Sequence, residues 1–120
     1  MSIRAIRGAT QVSANTPEAI AEGVKELMSA ILKANSLTPA QVISVFFTST
    51  KDLDAAFPAA ACRDIGFSTV PLIGSVEVDV PGALDKTIRA MIHCESDLSA
   101  AEIAHIYLHG AASLRRDIAQ

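Results

Sequence analysis

One segment dictates most of what this chain can build. Thr16 can cap a helix, Pro17 suits its first turn and Glu18 complements the N-terminal end of its dipole. Ile20, Val24, Leu27, Met28, Ile31 and Leu32 then recur at helical spacing, and Asn35 stands where a C-terminal cap is expected. A long helix with a single apolar stripe is stable only when another layer covers that stripe. The remainder of the sequence must supply that layer.

It reads mostly as strands. In residues 2–11, Ile3, Ala5 and Arg7 alternate with Arg4 and Ile6. Residues 42–48 are β-branched and aromatic without alternation, which predicts a central strand buried on both faces. After Phe57-Pro58 an Ala-rich stretch predicts a short helix. In residues 70–80, Val76, Val78 and Val80 alternate with Glu77 and Asp79, so a strand is expected with Glu77 pointing away from the valines. Residues 86–95 set Ile88, Ala90, Ile92 and Cys94 against Thr87, Arg89, Met91 and His93. A turn capped by Ser99 leads to a last strand around Ile106 and Leu108. The fold class expected is α+β, a mixed β-sheet packed against one long helix. The sheet's other face is then either wet or packed on copies of itself.

At 120 residues and 12.6 kDa, residues 1–120 fit one domain, with 111–120 expected as a mobile C-terminal tail. A mean hydropathy of +0.34 is high for so small a core and points to apolar surface hidden in an oligomer. The net charge of −3 and the five aromatic residues, none of them Trp, argue against a nucleic-acid partner. No secretory signal is read at the N-terminus, and the weakly polar stretch 65–76 is broken by Gly66, Pro71 and Gly74, so no membrane association is expected. Cys62 and Cys94 have no CxxC spacing, and reduced thiols in the cytoplasm are the expectation.

No GxGxxG, P-loop, GxSxG or HExxH motif is present. His105 and His109 would suit a metal on a helix, with Glu102 or His93 as a third ligand. On a strand, four residues span about 13 Å, so neither a metal nor another cofactor is expected. The arginines carry more information. Arg7 and Arg89 are embedded in apolar strand patterns, where a guanidinium must find an anion. Two readings stand for Arg89: a structural pair with Glu77 or Asp79, or capture of a carboxylate ligand.

The string Ile3-Arg4-Ala5-Ile6-Arg7-Gly8-Ala9-Thr10, residues 50–59 with Arg63 just beyond, and Val70-Pro71-Leu72 resemble the monofunctional chorismate mutases of the AroH class. Glu77-Val78-Asp79-Val80, residues 84–91 containing Ile88-Arg89, and His105-Ile106-Tyr107-Leu108 followed by Leu114-Arg115 agree in the same order. The resemblance implies conversion of chorismate to prephenate, a Claisen rearrangement on the route to phenylalanine and tyrosine. It further implies a barrel-type homotrimer with its active sites at the subunit interfaces. Such a rearrangement needs no nucleophile, metal or proton transfer, in keeping with the missing motifs.

By motif position, the resemblance makes Arg89 the cation that donates to the ether oxygen and a carboxylate, Arg7 and Tyr107 the holders of a carboxylate, and Glu77 the acceptor of the ring hydroxyl. Phe57, Ala59, Leu72, Ile73 and Leu114 fall on an apolar wall that holds the reactive conformer. Arg63 and Arg115 match arginines near the mouth. Two positions depart from the pattern: Ala60 replaces a lysine of close relatives, and Gly74 replaces a cysteine of some, leaving only backbone as a substrate contact there. The alternatives are a non-catalytic trimeric metabolite-binding module and a trimer like the imine/enamine deaminases, a family that lacks the opening string.

Overall fold

The computed structural model describes residues 1–114. Strand β1 (Ser2–Gln11) alternates as expected, with Ile6 and Thr10 fully buried on one side. Helix α1 (Pro17–Ala34) begins where Thr16 Oγ1 accepts from the Ala19 amide at 3.1 Å, and it buries Ile20, Val24, Leu27, Met28 and Ile31. Its end is fastened by Asn35, which is 1% exposed. The Asn35 side-chain amide donates to the carbonyls of Ile31 (2.9 Å) and Ala104 (3.0 Å), and its oxygen accepts from the Ala104 amide (2.8 Å).

Strands β2 (Val42–Ser49), β3 (Leu72–Val76), β4 (Thr87–Ser96) and β5 (Ile106–Leu108) complete a five-stranded mixed sheet in the order β3-β2-β4-β1-β5. β4 runs antiparallel to both β1 and β2, whereas β3 and β5 pair in parallel at the edges. The short helix α2 (Pro58–Cys62) follows Phe57-Pro58 as expected and packs on α1. Both helices lie on one face of the sheet. A Cβ added to Gly8 in β1 would stand 2.7 Å from Ile31 Cδ1 of α1, so glycine lets helix and sheet approach closely here.

Three expectations are corrected. β4, not β2, is the central strand. β2 is not buried on both faces: Phe46 is 45% exposed, because the helices cover only the face carrying Val45 and Phe47. The alternation of Val76, Val78 and Val80 does not continue a strand. β3 ends at Val76, the Glu77 amide still bonds the Ser49 carbonyl (3.0 Å), and the chain then leaves the sheet with Val78 83% exposed. The tail expected from residue 111 begins within a described element. His109–Ser113 form a 3₁₀ helix whose Ala111 is fully buried against Ala9 and Tyr107. Residues 115–120 of that tail lie outside the described residues.

Candidate active site

The uncovered face of the sheet collects the polar residues that the sequence placed in apolar strands. Register sets Thr48 of β2 opposite Arg89 of β4, Arg89 opposite Ala9 of β1, and Ala9 opposite Tyr107 of β5. These four side chains form one row across the sheet. In the neighbouring row Ile73, Phe46, Met91 and Arg7 follow one another on β3, β2, β4 and β1. Side chains two residues apart on a strand share a face, so both rows line the same surface. Ala9 matters because it is small: it leaves room between a guanidinium and a phenol.

A cavity of about 150 Å³ opens there, lined by Arg7, Phe46, Thr48, Arg89, Met91 and Tyr107. Arg89 Nε donates to Glu77 Oε1 at 3.3 Å, and Thr48 Oγ1 donates to the same oxygen at 3.2 Å. Both readings of Arg89 therefore remain compatible, since one N–H is spent on Glu77 and four others are available for an anion. Asp79, the other carboxylate considered for Arg89, pairs instead with Lys51 at 3.0 Å. The Arg7 amide donates to His105 Nδ1 (3.0 Å), tying β1 to the start of β5, and among the described residues no carboxylate lies within 4.0 Å of the Arg7 guanidinium. Tyr107 is 4% exposed and packs with Ala9, Ala111, Leu84 and Leu114. This is a cationic wall with a single carboxylate at its edge.

Several of the other predicted residues form a second group on the helix side of the sheet. Phe57 and Gly74 line a mostly apolar cavity of about 530 Å³ with Phe47, Leu53, Ala56 and Pro58. Phe57 is 82% exposed at its rim, while Ala59 is buried in α2 and Leu72 half-buried in β3. Nothing stands closer than 3.9 Å to a Cβ built on Gly74, so the spot is open rather than filled by a neighbour. Arg63 and Ala60 are exposed nearby in sequence. Ile73 points to the uncovered face and is 60% exposed, away from the Phe57 cavity. Leu114 belongs with Tyr107, and Arg115 lies outside the described residues. Within one chain the predicted set thus divides into two walls, with Thr48 bordering both cavities.

The sequence reading missed Phe46, Thr48 and Met91. The alternation that exposes Met91 was visible, but β2 offered no alternation from which to choose the faces of Phe46 and Thr48. The two histidines weighed as metal ligands have other roles: His105 receives the Arg7 amide, and His109 Nε2 lies 2.7 Å from Glu26 Oε1. Burial pushes the Cys62 thiol up to about 12, which keeps it protonated and unreactive at neutral pH.

Comparison with known proteins bears on the family and the fold. The family model described as chorismate mutase type I matches residues 3–118. A chorismate mutase AroH of Thermus thermophilus is 42% identical over 117 residues, covering 97% of this chain and 96% of its own. One of the same name from Bacillus subtilis is 40% identical over 119 residues, covering 98% and 94%. A solved chorismate mutase structure from Clostridium thermocellum superposes with a TM-score of 0.89 at 46% identity, covering 91% of this chain and 97% of that one. A match of this extent, in sequence and in fold, means that the chain belongs to the type I chorismate mutase family.

Proposed function

We propose that this protein is an isomerase that converts chorismate to prephenate for aromatic amino-acid biosynthesis, at sites formed between copies in a homotrimer. The observation that carries the reading is the division of the site residues into two walls. Arg7, Arg89, Tyr107 and Glu77 stand on the uncovered sheet face, and Phe57 projects from the other side with 82% of its surface open. A second copy supplying its Phe57 wall to the first copy's arginines would close one pocket and cover both exposed surfaces.

The chemistry asks little of side chains beyond placement and charge. The substrate is a dicarboxylate, so Arg7, with no carboxylate beside it among the described residues, is suited to bind one carboxylate, and the Tyr107 phenol can donate to it. As the C–O bond breaks, negative charge grows on the ether oxygen, where the spare N–H groups of Arg89 stabilise it. Positive character grows on the ring fragment, which the Glu77 carboxylate favours. The apolar wall of Phe57 and its neighbours holds the compact conformer in which the reacting carbons meet. No proton changes hands, so no cofactor is called for. Two free, buried cysteines are compatible with a reducing cytoplasm, and no helix among the described residues is long and apolar enough to cross a membrane.

The test is direct. Purified protein mixed with chorismate should accelerate loss of its absorbance with stoichiometric appearance of prephenate. A rate equal to the spontaneous one leaves a binding module and overturns the enzyme reading. Sedimentation that finds only monomer at fully active concentrations overturns the shared site.

A further inference from the structure

We propose that Thr48 is a positioning residue for this reaction: its hydroxyl fixes which oxygen of Glu77 faces the substrate. The inference rests on the assignment of the rearrangement to this site. Three contacts hold Glu77, all on one side. Its amide bonds the Ser49 carbonyl of β2 at 3.0 Å, which fixes the backbone just beyond the end of β3. Its Oε1 then receives both Arg89 Nε (3.3 Å) and Thr48 Oγ1 (3.2 Å). Register puts Thr48 directly opposite Arg89, so the two donors converge on one oxygen from adjacent strands.

The consequence is orientational. Glu77 sits where the chain has already left the sheet, and one bond from a guanidinium with several rotatable torsions cannot fix the carboxylate plane. A β-branched hydroxyl on a strand paired on both sides is far stiffer and completes a two-point hold. With Oε1 committed, Oε2 is the oxygen presented to the ligand. Thr48 also determines how Arg89 is used. By keeping Oε1 beside Nε, it leaves the two Nη groups turned to the anion. Thr48 touches the cavity wall but acts through Glu77 and Arg89 rather than on the reacting bond.

The experiment compares the parent with Thr48→Val, Thr48→Ser, Glu77→Ala and the double variant Thr48→Val/Glu77→Ala, after circular dichroism has verified folding. Val keeps the shape and strand preference and removes only the donor. Thr48→Val is expected to lower kcat about ten-fold with KM changed by less than about three-fold, as loss of one hydrogen bond to a charged group implies. Thr48→Ser, which keeps the donor, should restore kcat to within about two-fold of the parent, and Thr48→Val should change little in the Glu77→Ala background. Serine rescue and the vanishing effect without Glu77 are results that a packing role for Thr48 does not produce. An active parent with a Thr48→Val variant of unchanged kcat overturns the inference alone, as does an equal loss in the Glu77→Ala background. An inactive parent overturns the functional reading and this inference with it.

Discussion

Replacing Arg89 should separate catalysis from stability. Its side chain is 36% exposed and its one ion-pair partner among the described residues, Glu77, is 16% exposed, a pair partly screened by water. Such pairs contribute about 0–1 kcal/mol, and Glu77 keeps its bond from Thr48 when the arginine is gone. Unfolding of Arg89→Ala should therefore stay within about 1 kcal/mol of the parent. Catalysis should respond quite differently. The bond to Glu77 occupies one of five guanidinium N–H groups, and in the proposed site the rest serve the ether oxygen and a carboxylate. A preorganised donor to a developing oxyanion accounts for about 3–4 kcal/mol, or two to three orders of magnitude, and removing the charge with it brings the expected loss in kcat/KM to about 10⁴-fold. Arg89→Lys keeps the charge but not the fork, since an ammonium at one point cannot hold Glu77 and reach two ligand oxygens together. Its loss should be intermediate, about 10²-fold or more. Chorismate disappearance gives the rates and urea unfolding gives the stability. An Arg89→Ala enzyme within ten-fold of the parent, or one whose activity falls only in proportion to its folded fraction, would refute the role.

Three further outcomes follow from the geometry. Gly8→Ala should cost about 1–3 kcal/mol in urea unfolding, because the new methyl meets the Ile106 carbonyl at 3.0 Å as well as Ile31; unchanged stability would mean that β5 and α1 yield freely. Asn35→Ala should cost about 1–3 kcal/mol, since it strands the amide and carbonyl of Ala104 while the Ile31 carbonyl keeps the backbone amide of residue 35, and a loss below that of Thr16→Ala, about 1 kcal/mol, would deny Asn35 its bridging role. The Cys62 thiol ionises at about 12 when folded against an ordinary 9.0, so its contribution is fully present below pH 9.0 and is lost as pH rises toward 12. Stability measured across that range should fall less steeply in Cys62→Ala than in the parent, and parallel curves would exclude it.

What could be read in advance was what local chemistry decides. The caps of α1 and the alternation of β4 need only one wet and one dry side to become visible, and both were correctly placed. That Arg89 would meet a nearby carboxylate followed from the cost of a guanidinium in an apolar strand, but the choice of Glu77 over Asp79 did not, since Asp79 is taken by Lys51. β2 was misjudged for a physical reason: Phe46 is as apolar as Phe47, yet in a single chain only Phe47 is covered. A residue left exposed on a sheet face and one buried by its own chain look alike in sequence. The division of the site into two walls was invisible for a related reason. Motif positions name residues without saying which lie on the same side of a sheet, and Phe57 is brought near Gly74 only by the packing of the β2–α2 connection.

That ambiguity in β2 also explains how a short chain with net charge −3 can hold a dianion. Ile3, Phe46 and Ile73 are exposed on the same sheet face as Arg7 and Arg89. In the proposed assembly, whatever covers those side chains also removes water from the arginines. The attraction between two unit charges at 4 Å rises from about 1 kcal/mol in water to about 4 kcal/mol at an effective dielectric constant of 20. The apolar face and the cationic wall are therefore not separate devices. In that assembly, burial of the first strengthens the second, and both are drawn from alternate positions of the same strands.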